Sequence, residues 1–372
     1  MQFQVDCRHY IGAKPCAFNR LCDGCPHFES TAGHVLIIKI GALGDVMRTT
    51  TLLPALAEAA PGMRVTWLTA PAAAPLLIGN PYINDIMAFD ALAWPALAAR
   101  HFDLLLSLDK EPGPAGMAML LQADKKLGIG LSAFGAPFPL NPESEHYFAL
   151  GLSDELKFKV NQKTYHELIA EAVGFPYRGE RPILNLTRQE KEAGLAALAQ
   201  AGRDVLRPLV GVHTGAGSAF ANKMLQTAAI LDVIDALHER APEAQIALLG
   251  GHRENEKNSY IAHAARGRVL DSGCGHSLRV FAAMVSCCDV VLCGDTLALH
   301  LALALGRRAV ALFGPTAHQE IDLFGLGRKI VSPTDCAPCY RSACGNSPSC
   351  MDALNINDIA NALVEQLNIR GS

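Results

Sequence analysis

The stretch that decides the fold class is DVVLCGDTLALHLALALGRRAVALFGPT, residues 289–316. Residues 290–293 and 309–313 are short apolar runs of strand length, and the dense Leu/Ala run between them is closed by Gly306. Short apolar runs bounded by Gly and Pro favour strands, whereas the Leu/Ala run of residues 297–305 favours a helix. The order strand, buried helix, strand predicts a βαβ unit in a parallel sheet.

Asp295 and Thr296 stand between the first of these strands and the helix. The free N–H groups and the dipole at a helix amino end favour an anion. We therefore expect a phosphorylated ligand at this turn.

Composition bounds the class of protein. A chain of 372 residues predicts two domains. Half of its residues are hydrophobic, which is enough to form two cores. The net charge is −4, and the absence of a long Lys/Arg cluster argues against nucleic acid as a partner. With no apolar run near ~20 residues and no signal pattern at the amino terminus, the prediction is a cytoplasmic protein. The Ala/Leu-rich residues 70–78 and 91–99 favour buried helices, with peripheral membrane contact as the alternative.

Eight of the twelve cysteines fall in two short segments, each with a CxxC pair and too few apolar residues for a core of its own. A reducing compartment argues against disulfides, so these thiols predict a metal site, with unligated loop cysteines as the alternative. Zinc and an iron–sulfur cluster both fit the ligands. The predicted metal ligands are Cys7, Cys16, Cys22 and Cys25 in one segment, and Cys336, Cys339, Cys344 and Cys350 in the other.

The first domain opens with the apolar run 35–40, and Gly41 and Gly44 then allow a turn into a helix over residues 46–59. Residues 127–142 are rich in Gly, Pro and Phe and predict a long loop over a cleft. Further strands are predicted at 65–70, 83–89 and 102–109. Strands that alternate with helical stretches indicate a doubly wound domain.

A second domain repeats this opening, because the apolar run from residue 209 leads into Gly215 and Gly217. Before it, residues 174–186 form an interdomain linker, and Thr187 caps an amphipathic helix. Later strands are predicted at 245–251 and 269–275, and a last helix at 355–367. The predicted parts are a cysteine-rich segment (1–33), two Rossmann-like domains (34–180 and 181–330), and a cysteine-rich loop with a terminal helix (331–372).

Four motifs occur in an order that resembles glycosyltransferase family 9, the ADP-heptose:lipopolysaccharide heptosyltransferases. They are KIGALGDVM, TGAGS followed by Lys223, LLGG followed by EKN, and GDTLALHLALALG followed by ALFGPT, within about residues 34–330. The resemblance implies the α/β GT-B architecture, in which two Rossmann-like domains face a cleft. It also implies inverting heptose transfer from ADP-heptose to the lipopolysaccharide inner core or a related surface glycan, without a catalytic metal. Peripheral contact with the inner membrane is a further prediction for this chain, from its Ala/Leu-rich residues. The cysteine-rich ends are similar to those of a subset of the family.

The resemblance assigns roles to single residues. Asp45 matches the general base that takes the proton of the acceptor hydroxyl, although the residues alone favour a helix cap. Lys223 and the backbone amides would stabilise the departing diphosphate, with an ordinary exposed lysine as the alternative for Lys223. Glu256 is implied to bind the ribose, with Glu254 as a rival, and His300 has core packing as its alternative. Asp45 and Lys223 are thus predicted to be catalytic. Predicted donor-binding residues are Gly44, Thr214, Gly215, Ala216, Gly217, Ser218, Glu256, Asp295, Thr296, Leu297 and His300.

The sequence departs from the family pattern at two places. Residues 223–226 read KMLQ, without the aromatic residue and proline that usually follow the lysine, and Leu297 stands where glycine is usual. A side chain at Leu297 narrows the approach of the backbone to a phosphate. Two alternatives remain: a nucleotide-sugar epimerase or hydrolase, and a degenerate transferase whose cysteines carry a binding function.

Overall fold

The structure is a computed structural model that describes residues 2–10, 16, 18–217 and 221–369. Its chain divides into two compact units. The first unit comprises Met1–Ala42, Thr51–Leu152 and Glu167–Glu180, and the second comprises Leu43–Thr50, Ser153–His166 and Arg181–Ser372. Two short segments of the amino-terminal half, Leu43–Thr50 and Ser153–His166, therefore group with the carboxyl-terminal unit.

The described part of the first unit contains a sheet with the order β3-β2-β1-β4-β5-β6. All neighbouring strands are parallel except β5 and β6. Leu36 and Ile37 in the central strand are completely buried, as expected where helices cover both faces of a parallel sheet. The strands are β1 (His34–Ile38), β2 (Arg64–Thr69), β3 (Asp85–Ala88), β4 (His101–Ser107), β5 (Gln122–Leu131) and β6 (Pro137–Pro139).

The predicted long loop at residues 127–142 is wrong. Strand β5 continues to Leu131 and pairs with β6, with Ile129 opposite Pro139. Gly128 has φ +100°, and a Cβ there would lie 2.0 Å from the carbonyl oxygen of Ser107, so only glycine lets β5 approach β4 so closely. The glycines and prolines that suggested a loop are instead those of a sheet edge, where proline costs no ladder hydrogen bond.

The helix predicted over residues 46–59 is interrupted. It forms α1 (Leu43–Thr49), a 3₁₀ turn (Thr50–Leu52) and α2 (Leu53–Ala59). Thr50 Oγ1 donates to the carbonyl of Met47 at 2.7 Å and accepts from the backbone N–H of Ile183 at 2.8 Å. Hydroxyl groups that bond to backbone compete with helix geometry, and Pro54 suits the first turn of a new helix.

The second unit contains a sheet of parallel strands in the order β12-β11-β10-β7-β8-β9. These strands are β7 (Leu209–His213), β8 (Gln245–Leu249), β9 (Leu270–Asp271), β10 (Val290–Gly294), β11 (Arg308–Phe313) and β12 (Gly327–Val331). Read from β9, the order of this sheet is 3-2-1-4-5-6, and the first five strands of the first unit follow the same rule. The predicted fold class, α/β with two doubly wound domains, is confirmed.

Helices connect these strands. The remaining helices are α3 (Ala74–Leu77), α4 (Ala93–Ala98), α5 (Pro112–Leu120), α6 (Ser144–Ala149), α7 (Tyr165–Ala172), α8 (Arg188–Gln200), α9 (Thr227–Arg240), α10 (Asn255–Ala264), α11 (Leu278–Ser286), α12 (Leu297–Ala304) and α13 (Ile356–Asn368). The predicted cap at Thr187 is confirmed by a capping box with Glu190. The βαβ unit predicted from residues 289–316 is also confirmed, as β10, α12 and β11. No helix in the described ranges is both long and apolar enough to cross a membrane.

Candidate active site

The turn from β10 into α12 lies where the strand order of the second sheet reverses, between β7 and β10. Crevices open at such points, outside the carboxyl ends of the strands. Thr296 is the N-cap of α12 with an extended backbone (φ −137°, ψ 172°), and its side chain does not cap the helix. Its hydroxyl lies 3.4 Å from Nδ1 of His213 at the end of β7. The amide groups of the first turn of α12 therefore face the place where a doubly wound sheet holds its ligand.

Asp295 carries the negative charge of this turn. Lys223 Nζ lies 3.4 Å from Asp295 Oδ2 and 3.3 Å from its carbonyl oxygen, and His300 Nε2 lies 3.7 Å from Oδ1. Burial favours the neutral acid, but His300, Lys223 and Arg48 outweigh it and hold the pKa of Asp295 well below its usual range. Burial lowers the pKa of His300. At neutral pH we therefore assign a charged Asp295 carboxylate beside a neutral His300 imidazole.

Asp45 lies in the same unit, because α1 packs against α12. Gly44 makes this contact: a Cβ at that position would lie 2.7 Å from Cδ2 of His300, too close for a buried ring to accommodate. The Asp45 side chain remains 32% exposed, so a ligand can reach its carboxyl group. The predicted acid and the predicted diphosphate turn are thus brought together by one helix contact.

Arg48 holds Asp45 and was not predicted. Its Nη2 lies 2.5 Å from Asp45 Oδ1, and its guanidinium lies 3.9 Å from the ring centroid of Tyr165. Thr49 completes the group, since its hydroxyl lies 3.1 Å from that of Tyr165 and donates to the carbonyl of Asp45 at 2.7 Å. The neighbouring carboxylate raises the pKa of Arg48, although burial opposes this, so Arg48 is a permanent cation. The position of Arg48 three residues after Asp45 on a helix is a sequence signal that could have identified the pair.

Two buried histidines add no charge to the site. Burial, followed by the charge of Arg48, lowers the pKa of His166 to about 3. Burial and the charge of Lys257 lower the pKa of His213 to about 4. Both rings are neutral at physiological pH, so the positive charge of the site comes from Lys223 and Arg48.

The glycine turn after β7 is shaped by α10 and the residues before it. Thr214 Oγ1 donates to Asn258 Oδ1 at 2.5 Å, and Lys257 Nζ donates to the carbonyl of Thr214 at 3.0 Å. A Cβ at Gly215 would lie 2.4 Å from the carboxyl group of Glu254, so the absence of a side chain lets Glu254 reach the turn.

Five of the predicted donor-binding residues need separate mention. Glu256 is exposed in the first turn of α10, whereas its rival Glu254 lies against the turn at Gly215. Leu297 is half-buried at the start of α12, and Gly217 has φ +70° beside Ala216. The prediction for Ser218 falls outside the described residues.

A second unpredicted group lies beyond the FGPT motif. Tyr340 Oη donates to Glu320 Oε2 at 3.5 Å, and Lys157 Nζ lies 4.0 Å from the centroid of the Tyr340 ring. Burial raises the pKa of Glu320, and the charge of Lys157 is the largest opposing influence. No local pattern identifies this group, because its members come from three separate parts of the chain.

The two predicted cysteine sets each come together. Cys7, Cys16, Cys22 and Cys25 line one cavity of about 10 Å³. In the late loop, burial raises the pKa of the Cys350 thiol, and the nearby thiols of Cys339, Cys344 and Cys336 raise it further. Within the described ranges, no three His, Cys, Asp or Glu side chains already stand in position to hold a metal ion.

Comparison with solved structures supports the fold. A glycosyltransferase of family 9 from Veillonella parvula DSM 2008 matches with TM-score 0.71 and 16% identity, covering 90% of this chain and 97% of that one. E. coli ADP-heptose lps heptosyltransferase II matches with TM-score 0.65 and 18% identity over 90% and 98%. The iron-containing dodecameric glycosyltransferase TibC from enterotoxigenic E. coli H10407 matches with TM-score 0.54 and 14% identity over 90% and 76%.

A comparison with curated protein sequences finds no match. The family model for glycosyltransferase family 9 (heptosyltransferase) matches residues 94–349, which is more than half of the chain. The predicted family and the GT-B type of fold are therefore confirmed. This protein belongs to glycosyltransferase family 9, the heptosyltransferase family.

Proposed function

We propose that this glycosyltransferase moves heptose from ADP-heptose to the lipopolysaccharide inner core or a related surface glycan, with inversion at the anomeric carbon. The observation that carries the proposal is the contact between α1 and α12 in the second unit. It places a partly exposed acid, Asp45, near the amino end of a helix and the ammonium group of Lys223.

The diphosphate of the donor fits the turn at Thr296. First-turn amides of α12 and the amides around Thr214 and Gly215 supply hydrogen-bond donors, and Lys223 supplies a positive charge. The charge that develops on the departing ADP is stabilised by these fixed groups, so the transfer step needs no metal. Lys223 lies against Asp295, and we assign Asp295 the role of orienting this lysine toward the donor.

Asp45 is the general base of the proposal. Inverting transfer has one displacement step, in which the acceptor hydroxyl attacks the anomeric carbon as the bond to the diphosphate oxygen breaks. Asp45 takes the hydroxyl proton, and ADP leaves with the electron pair of the broken bond. Arg48 holds the Asp45 carboxylate in place, and the acceptor hydroxyl reaches this carboxylate through the exposed part of the side chain.

The class of acceptor and the subcellular location of the enzyme follow from the proposed donor. We assign the donor to residues 181–330 and the acceptor to residues 34–180. A lipid-linked acceptor puts the enzyme in the cytoplasm with peripheral contact at the inner face of the membrane. The E. coli relative named above as an ADP-heptose lps heptosyltransferase supports this choice of donor and acceptor.

The cysteine-rich ends are assigned a structural metal apart from the transfer step. Thiolates at both ends fit zinc or an iron–sulfur cluster by their chemistry. The likeness in fold to TibC, an iron-containing glycosyltransferase, supports metal at one or both ends.

The test measures transfer from ADP-heptose to truncated lipopolysaccharide, comparing wild type with Asp45→Asn and the matched control Asp124→Asn. Asp124 is 65% exposed in the first unit. Loss of a general base lowers kcat by about 10² to 10⁴, and we expect this for Asp45→Asn only. Titration calorimetry with ADP should give the same affinity for all three proteins.

Proton NMR of the product reports the anomeric configuration, and retention would exclude the single-displacement mechanism. An Asp45→Asn enzyme as active as the control would exclude Asp45 as the base. A wild type that binds ADP but turns over only another ADP-sugar would correct the donor while leaving the reaction class.

A further inference from the structure

We propose that Cys7, Cys16, Cys22 and Cys25 bind a single zinc ion as four thiolates, and that this ion holds together the described residues around them (2–10, 16 and 18–31). The proposal narrows the structural metal suggested above to one ion and four named ligands. It does not depend on the transfer reaction, because these residues all belong to the first unit.

Backbone turns accompany the four cysteines that line the cavity. Cys25 N–H donates to the carbonyl of Cys22 at 3.1 Å, and Gly24 inside this turn has φ +62°, which glycine adopts without strain. A second turn follows Cys16, where Asn19 N–H donates to its carbonyl at 2.9 Å. A third follows Cys7, where Tyr10 N–H donates at 3.0 Å. Residues up to 18 apart in sequence thus line the same cavity.

The segment has no hydrophobic core that could explain its fold. Among the described residues before His34, none is a buried apolar side chain. Val5 is 76% exposed and Phe3 59% exposed. The described cysteines are all free thiols, so disulfides do not supply the missing stability either. Segments of this size without a core need a cross-link or a metal, whose binding energy then becomes folding energy.

The cavity is narrow at its centre. Its volume of about 10 Å³ matches one water-sized occupant, which favours a single ion over a cluster of several iron and sulfide ions. Four thiolates in tetrahedral arrangement are the preferred surroundings of structural zinc, at ~2.3 Å from each sulfur. The thiols line the cavity without yet meeting at that distance. Binding therefore draws them inward by side-chain rotation, and four thiol protons pass to solvent as four Zn–S bonds form.

Two histidines also line the cavity. His9 Nε2 lies 3.4 Å from Glu29 Oε1, and the His27 ring stacks on Phe18 with centroids 4.0 Å apart. Arg20, which also lines the cavity, donates to the carbonyl of Gly24 at 3.3 Å and adds positive charge beside the thiolates.

The experiment measures metal by mass spectrometry on the full-length protein purified with zinc and reductant. Cys25→Ser should lose about one zinc per chain relative to wild type. Zinc content should match that of wild type in Cys25→His, where the new side chain is also a zinc ligand, and in His27→Ala. Limited proteolysis should cut within residues 2–31 of Cys25→Ser at least tenfold faster than in wild type. The cysteines of the late loop are unchanged in every variant and serve as an internal reference.

Cobalt reconstitution of the wild type supplies a readout that needs no variant to fold. The visible bands of tetrahedral cobalt with sulfur ligands should appear, and zinc should displace them. Equal zinc in wild type and Cys25→Ser would overturn the proposal. So would loss of metal from His27→Ala, or a brown iron–sulfur chromophore that disappears in Cys25→Ser. Because the readouts are metal content and cleavage, inactivity toward ADP-heptose would leave this proposal standing while refuting the proposed donor.

Discussion

Replacement of Lys223 by methionine tests how the site stabilises the leaving group. Lys223 is 16% exposed and lies 3.4 Å from Asp295 Oδ2, so it can turn from that carboxylate to a bound diphosphate with little motion. A unit positive charge about 4 Å from the new charge on ADP contributes roughly 4 kcal/mol at an effective dielectric constant of about 20. That value corresponds to a rate factor of about 10³, and solvent at the partly exposed ammonium reduces it.

We therefore expect kcat/KM for heptose transfer to fall by about 10² to 10³ in Lys223→Met, as for the loss of one oxyanion donor. Most of the loss should appear in kcat, because the charge develops in the transition state. The assay is the initial rate of ADP release, with Lys191→Met, an exposed lysine on α8, as the matched control. A kcat/KM within threefold of the control would refute the reasoning. So would a loss confined to KM, which would make Lys223 a ground-state binding group.

Two further predictions follow from contacts in the second unit. Gly44→Ala places a Cβ 2.7 Å from His300 Cδ2 and should displace α1, lowering kcat at least tenfold; His300→Ala in the same chain should restore part of that activity, and additive effects of the two changes would contradict the contact. Glu190 has a pKa lowered to about 2, chiefly by its hydrogen bond with Arg279, so its stabilising effect is complete above pH 4.5 and is lost as the pH falls toward 2. Urea unfolding at pH 7 and pH 3 should therefore show a smaller acid loss of stability in Glu190→Gln than in wild type, and equal losses would exclude Glu190 as a source of the acid sensitivity.

The sequence determined the fold class because its signals are local. Apolar runs of strand length, the Leu/Ala helix and the glycines between them specify each βαβ unit from neighbouring residues. Glycine and proline gave a wrong prediction of a loop at residues 127–142, because these residues occur both in loops and at the edges of sheets. Hydrophobic periodicity also predicted one continuous helix through Thr50. In the structure the Thr50 hydroxyl donates one hydrogen bond to the backbone and accepts another from it, and the helix is interrupted there.

The separate parts of the candidate site were visible in the sequence, including the acid at Asp45 and the turn at Thr296. Only the tertiary structure decided that α1 packs against α12, that Arg48 lies between Asp45 and Tyr165, and that Tyr340 reaches Glu320. The physical reason is that a helix pattern specifies which residues are buried, but the partner they pack against depends on contacts between residues far apart in the chain.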